Sequence, residues 1–335
     1  MPATSASARS RPCCGRTETE MTAGLQEAGT GQPAAPVALE AEGLVLRRGD
    51  TTVVDGYELS LRRGEIVGLL GVNGAGKTST LRMLAGVLPP TQGRIRVLGN
   101  DLHAQPRAAR RAIGFVPDRP PLYDELTVRE YLELAATLHG LRRGQRTRAA
   151  DRAIERCGLE GVRQRLIGQL SLGYRQRLDI AQGIVHEPEV ILLDEPTSAL
   201  DPMQTRSVRA LIRELGSEHA VLISSHLLGE IESLCHRVQF LSGGRVVTEH
   251  RLPLAEGWLL ELAAPTDPER IAAIQGIGAL EAGSEGLRLQ LDQPPEQVLK
   301  ALCAAGVPVR SFAPARAGLE ALFVEEVLRA EGDGT

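Results

Sequence analysis

The chain has 335 residues, a formal net charge of −4, 42% hydrophobic residues and 3% aromatics, which bounds it to one large domain plus a small one, or two medium ones, built on an aliphatic core. The weakly acidic balance argues against a general binder of nucleic acid or of anionic membranes. Five scattered cysteines (Cys13, Cys14, Cys157, Cys235, Cys303) show neither a disulfide framework nor metal-ligand spacing, and no apolar run approaches the ~20 residues that cross a bilayer.

Residues 1–37 are rich in Ala, Ser, Thr, Gly and Pro without periodicity, and read as a disordered tail in which Met21 is an alternative start. No apolar signal segment is found there, so the expected location is the cytoplasm, with reduced thiols. From Val37 the pattern changes. ALEAEGLVLRR and ELSLRR read as strands around a turn at Gly49-Asp50. Ile66–Leu70 is a short apolar strand, Ser79–Leu88 a helix that stops at Pro89-Pro90, and Ile95–Leu98 and Ala112–Val116 are further strands. Leu126–Leu141 reads as an amphipathic helix with Leu126, Tyr131, Leu134 and Leu138 on one side. Residues 142–183 read as helical and arginine-rich, the arginines forming a solvated face or meeting an acidic partner. Val190–Leu193 and Ala220–Ser224 are buried-strand candidates, and Val238–Leu241 with Arg245–Glu249 form a last hairpin. Strands alternating with helices predict a parallel α/β sheet covered on both faces. Beyond Leu254, a strand Trp258–Leu262, a helix from Asp267, an alternating segment through Leu287, Leu289 and Leu291, a helix Pro294–Ala305, a strand Val307–Phe312 and a helix from Gly318 suit a small α+β domain.

Three segments carry chemistry. Gly71-Val72-Asn73-Gly74-Ala75-Gly76-Lys77-Thr78 fits G-x-x-x-x-G-K-[ST] between a strand and a helix. Its glycines let backbone N–H groups converge on a phosphate, at a helix N-terminus that extends through Ser79. Lys77 is expected on the β- and γ-phosphates and Thr78 on Mg²⁺. The only lysines in the chain are Lys77 and Lys300, so a lysine-poor sequence has kept a compact ammonium in this loop. Next, the apolar run Val190–Leu193 ends in Asp194 and Glu195; ligands bind outside strand C-termini, which suits Asp194 to the metal and Glu195 to polarising a water, a surface acidic pair being the alternative. Last, His226 follows Ser224-Ser225 after a strand, as a phosphate contact or as a structural histidine.

Leu170-Ser171-Leu172-Gly173-Tyr174-Arg175-Gln176-Arg177 resembles the signature motif of ATP-binding-cassette (ABC) ATPases, and precedes LLDEP at that family's spacing. Ser198-Ala199-Leu200-Asp201 resembles its D-loop, and His226 falls at the switch-histidine position. The resemblance spans roughly residues 38–250. It implies an α/β P-loop NTPase with an inserted helical subdomain at about 119–183, and a cassette over 38–253. A small α+β accessory domain over 254–335 and the tail over 1–37 complete the chain. It implies a head-to-tail homodimer, or a heterodimer with a related ATPase, in which ATP and Mg²⁺ sit between the phosphate loop of one protomer and Ser171 and Gly173 of the other, with Asp201 of the D-loop among the nucleotide-binding residues. PPLYDELTVREYLEL with LSLGYRQR resembles the ATPase subunits of ABC-2-type exporters, which work with a separate integral-membrane permease at the inner face of the membrane. A soluble member of the superfamily acting on ribosomes or DNA is the alternative.

The sequence departs from the family pattern at three places. Asp118 stands where the family has a metal-sensing glutamine; it is shorter and charged, and reaches the metal through a water. Leu172 replaces the first glycine of the signature pair. Leu46-Arg47-Arg48-Gly49 lacks the adenine-stacking aromatic, so Arg48 stacks its guanidinium on the base or makes no contact, and nucleobase discrimination is expected to be weak.

Overall fold

A computed structural model describes residues 35–252, 257–264, 266–283, 286–315, 319 and 322. The chain begins with β1 (Val37–Arg48) and β2 (Thr51–Arg62), paired antiparallel across a turn at Gly49, whose φ of 58° suits glycine. β3 (Ile66–Leu70) is buried along its whole length and feeds the phosphate loop and α1 (Lys77–Leu84). That helix starts two residues before the expected Ser79 and ends well before Leu88, because Gly86 turns the backbone to φ 69°. β4 (Gln92–Val97) and the two-residue β5 (Asn100–Asp101) join β1 and β2 in a sheet of order β2-β1-β4-β5.

After α2 (Pro106–Arg111) and β6 (Ile113–Val116) comes a helical lobe of α3 (Val128–Leu138), α4 (Arg143–Arg156) and α5 (Leu172–Ile184). Thr127 and Glu130 close a capping box at the start of α3. The helix buries Val128, Tyr131, Leu132, Ala135 and Ala136, while Leu138 is 78% exposed. The expected stripe through Leu134 and Leu138 is therefore corrected: at about 100° per residue the buried face centres on Leu132 and Ala136 and leaves Leu138 to the side. The expected helical run 142–183 breaks between α4 and α5. Gly158, at φ 64°, ends α4, and two short 3₁₀ turns bridge to Ser171, the N-cap of α5. Part of its arginine face is paired within the chain: Arg152 with Glu187 at 2.7 Å and Arg175 with Asp124 at 3.0 Å.

β7 (Val190–Asp194), α6 (Pro202–Glu218), β8 (Ala220–Ser225), α7 (Leu228–Leu234), β9 (Arg237–Ser242) and β10 (Arg245–Arg251) complete the main sheet, ordered β10-β9-β3-β8-β7-β6 and parallel except for β10. Alternate residues of its strands serve opposite cores. Ile191, Leu193, Val221 and Ile223 join the core shared with α3–α7; Val190, Leu192, Ala220 and Leu222 join the core under the antiparallel sheet. Both faces covered is the expected doubly packed α/β layout.

β11 (Gly257–Leu262), α8 (Pro268–Ala272), β12 (Ile277–Gly283), β13 (Gly286–Leu291), α9 (Pro295–Ala304) and β14 (Val309–Ala315) follow in βαββαβ order, in an antiparallel sheet β12-β13-β11-β14. This is the split-βαβ, ferredoxin-like arrangement. Leu260, Ile271, Leu287, Leu289, Val298, Leu302 and Val307 form its own core. Leu319 lies elsewhere: it is fully buried in the α3–α7 core, and its N–H donates to Glu232 Oε1 at 2.6 Å. The tail expected over 1–37 falls almost wholly outside the described residues, as does most of the helix expected from Gly318. Among the described residues no helix is long and apolar enough to cross a membrane.

Candidate functional site

β3 ends at Leu70, and the chain turns at once through Gly71–Gly76 into α1. The turn has no room for side chains at its ends. A Cβ on Gly71 would lie 2.4 Å from the Leu241 carbonyl oxygen, and Gly76, at φ 105°, would place one 2.8 Å from that of Val53. The loop and the strand ends beside it enclose a cavity of about 420 Å³, lined by Val53, Asn73, Gly74, Ala75, Gly76, Lys77, Thr78, Ser79, Asp118, Glu195, Ser198 and His226. Gly71 and Val72 stand behind it, their carbonyls taking Lys77 Nζ at 2.7 and 3.4 Å.

The cavity floor is the C-terminal end of β7 and β8. Asp194 is 1% exposed; its Oδ1 accepts from Ser224 Oγ at 2.6 Å and from Thr78 Oγ1 at 3.3 Å. Its Oδ2 is buried, with no hydrogen-bond partner among the described residues. An orphaned carboxylate oxygen beside a threonine hydroxyl, with Asp118 on the wall, is an all-oxygen donor set that fits a hard divalent cation. Among the described residues no group of three or more His, Cys, Asp or Glu could hold a metal ion.

Glu195 takes φ 51°, a left-handed backbone rare for a non-glycine residue. Its N–H donates to both the carbonyl and the hydroxyl oxygen of Ser224, each at 3.1 Å. That geometry turns the carboxylate back over the loop: Oε1 lies 3.6 Å from Lys77 Nζ, and Oε2 lies 2.7 Å from His226 Nδ1. A carboxylate aimed into a phosphate-sized cavity, oriented by an imidazole, can take a proton from a water there.

Residues 54–198 match the family described as ABC transporter. The chain is 37% identical over 258 residues to the daunorubicin resistance ATP-binding protein DrrA3 of Streptomyces coeruleorubidus, an alignment covering 77% of this chain and 78% of that protein. The chain belongs to the ABC transporter family. As an ABC ATP-binding protein it is also 39% identical over 203 residues to the bacitracin transport ATP-binding protein BcrA of Bacillus licheniformis, covering 60% of this chain and 65% of that one, so it spans just under two thirds of that relative's length. A solved ATP-binding subunit of an ABC transporter superposes with a TM-score of 0.58 at 30% identity, over 64% of this chain and 90% of that one. The α/β P-loop cassette fold is thereby shown.

Of the residues singled out in the sequence, Gly71, Val72 and Asp194 stand behind the cavity lining, and Arg48, Ser171, Gly173 and Asp201 do not line it either. Arg48 is exposed on the β1–β2 hairpin. Ser171 caps α5 without a side-chain cap hydrogen bond. Gly173 is buried against α6, where a Cβ would come 2.6 Å from Gln204 Cδ. Asp201 Oδ1 caps α6, accepting from Met203 N and Gln204 N at 2.9 Å each. The start of α5 thus packs on the start of α6, while Ser198, the first residue of the D-loop segment, lines the cavity of its own chain. Sequence reasoning missed Val53, which has no motif, and the part of Ser224, which sat unremarked beside His226.

Proposed function

We propose that this chain hydrolyses ATP and passes the resulting movement to a separate membrane permease, as the ATPase subunit of an ABC-2-type exporter. The observation that carries the reading is the Glu195 carboxylate, held 2.7 Å from His226 and 3.6 Å from Lys77 over the phosphate loop. Lys77 and the N–H groups of Asn73–Ser79 take the β- and γ-phosphates, where their charge is pre-arranged for the transition state. Thr78 and Asp194, with Asp118 beside them, hold Mg²⁺, which neutralises phosphate charge when bound. Glu195 takes the proton of the attacking water, and His226 fixes the carboxylate and faces the γ-phosphate.

The site is completed by a second copy, head to tail: Ser171 and Gly173 of that copy close on the γ-phosphate, with Asp201 at the interface, and Arg48 flanks the adenine. This is supported by the position of those residues outside the cavity of their own chain. A heterodimer with a related ATPase satisfies the same geometry. The permease reading is supported by relatives named for bacitracin transport, daunorubicin resistance and Nod factor export. It places the chain on the inner face of the membrane, and those relatives favour transport over a role on ribosomes or DNA.

The test is steady-state ATP turnover of the wild-type chain against Glu195→Gln, with phosphate release as the readout. Gln keeps the size and loses the basicity, so kcat falls by about 100-fold or more while ATP still binds. In gel filtration the variant runs as a dimer with ATP and as a monomer without it. Equal turnover in the two proteins overturns the hydrolytic role.

A further inference from the structure

Behind the catalytic floor lies a second carboxylate that the proposed reaction does not use. Glu230, on α7, is 1% exposed. Its Oε1 accepts from Thr197 Oγ1 at 2.6 Å and its Oε2 accepts from Ser225 Oγ at 2.6 Å. Ser225 Oγ in turn accepts from Leu227 N at 3.0 Å. Thr197 is 3% exposed and Ser225 is fully buried, so the whole contact is dry. Among the described residues no lysine, arginine or histidine forms an ion pair with Glu230. Its neighbours are the buried Ile231 and Leu234 on α7 and Cys235 at the C-cap, and burial together with Glu230 pushes the Cys235 thiol pKa up.

A carboxylate taken out of water without a cation costs stability, and two hydroxyl hydrogen bonds return only part of that cost. What these bonds do is geometric. Thr197 sits two residues past Glu195, on the turn that leaves β7, and Ser225, the last residue of β8, sits one residue before His226. The two oxygens of one rigid carboxylate therefore fix the spacing between the turn bearing the water-activating carboxylate and the turn bearing its imidazole. The adjacent Ser224 acts one step closer, from Asp194 to the N–H of Glu195. Ser224 fixes the backbone of Glu195; Glu230 ties Thr197, on the far side of that turn, to Ser225, the residue before His226.

We infer that Glu230 is a positioning residue for hydrolysis: through Thr197 and Ser225 it brackets the Glu195 and His226 turns and holds His226 Nδ1 in its 2.7 Å contact with the Glu195 carboxylate. The inference rests on the reading of Glu195 as the group that takes the proton from water. Nucleotide binding uses the phosphate loop, which the bracket does not touch, so losing the bracket lowers kcat and spares the KM for ATP.

The test compares ATP turnover and thermal unfolding of the full-length wild type with Glu230→Ala, Glu230→Gln, Thr197→Val and Ser225→Ala. Glu230→Ala lowers kcat by about 10- to 100-fold, the range expected when a catalytic group drifts by about an ångström. KM for ATP stays within about twofold. Thr197→Val keeps the buried shape and cuts one arm, so it lowers kcat by about 3- to 10-fold; Ser225→Ala does the same. The Thr197→Val/Ser225→Ala pair loses no more than Glu230→Ala, because each removes the same bracket. Glu230→Gln recovers most of kcat, since one hydroxyl still donates to the amide oxygen and the other accepts from the amide N–H. A kcat for Glu230→Ala within twofold of wild type overturns the inference. So does a parallel fall of kcat, KM and melting temperature with Glu230→Gln no better than Glu230→Ala. If Glu230→Ala does not fold, Thr197→Val decides: unchanged kcat in a stable protein overturns the bracket. Glu195→Gln separates the two readings, because full loss there with full activity in Thr197→Val and Glu230→Ala removes the bracket alone, and full activity in Glu195→Gln removes the hydrolytic reading itself.

Discussion

Glu195 and Asp179 show opposite ways in which single residues are held against their preference. Glu195 is placed in a left-handed backbone at φ 51°, a conformation that costs a non-glycine residue about 1–2 kcal/mol. Two hydrogen bonds from its N–H to Ser224 keep it there, so the strain is stored where the carboxylate must point inward. Asp179, on α5, is 3% exposed with Oδ1 unpartnered, and burial, opposed by nearby Arg175, raises its pKa from the usual carboxylate range to about 8. Folding therefore makes this group keep its proton at neutral pH. That has no cost below the unfolded pKa near 4, and the cost grows as pH rises toward 8. Asp179→Asn is expected to stabilise the protein at pH 7 by about 1–3 kcal/mol and to leave it unchanged at pH 4, read as melting temperature against pH. The positions of the phosphate-loop and strand-end residues were legible in the sequence, and the surroundings of Asp179 were not. Lys77, Thr78, Asp194, Glu195 and His226 each follow a strand end or open a helix, where position dictates chemistry. The part of Ser224 and one arm of Glu230 depend on a neighbour about 30 residues away, and Asp179 on how deeply its helix is buried, and no local pattern reports either.

At the scale of elements, strands were read better than helices for a physical reason. β3, β7 and β8 are buried on both faces, so their apolar runs are continuous and short. Helix α6 went unread, although Asp201-Pro202 is a cap-and-first-turn signature and Val208, Leu211, Ile212 and Leu215 form its buried face. One junction between elements is sensitive to acid. His139, the C-cap of α3, stacks on His186 beyond α5 with centroids 3.6 Å apart and rings 7° from parallel. His186 Nε2 lies 3.0 Å from the Ile113 carbonyl oxygen and so carries the proton, while Nδ1 is buried without a partner. Burial, and then His139, push the His186 pKa down to about 4. A depressed histidine gives stability that is present above its unfolded pKa near 6.5 and is lost as pH falls toward 4. Chemical denaturation at pH 6.5 and 4.5 is expected to differ by about 1–3 kcal/mol for the wild type, and His186→Gln, whose amide N–H still reaches Ile113, flattens that difference. A slope unchanged by the substitution places the acid sensitivity elsewhere.

At the scale of the molecule, two cores share one sheet, and a third belongs to the small βαββαβ unit. Its α+β character was legible from alternation at Leu287, Leu289 and Leu291. Its strand order was not, because β12 carries glycines and alanines (IGALEAG) in place of an apolar rhythm. The chain leaves the cassette after Leu252 and is back in the α3–α7 core at Leu319. Leu319→Ala is expected to cost about 2–4 kcal/mol by calorimetry, as a buried leucine does when its side chain is cut back, and to leave ATP affinity unchanged because the phosphate loop lies elsewhere. A melting temperature equal to wild type would show that Leu319 carries no load.

Leu319 also sets an order of events during synthesis. Domains made on the ribosome fold as units, the N-terminal one first. Here the last strand of the cassette, β10, ends at Arg251, yet a side chain of its core comes 68 residues later by sequence number, beyond the whole small sheet. The cassette thus emerges with its core still short of one apolar plug. The small sheet is therefore made before the cassette core receives that plug.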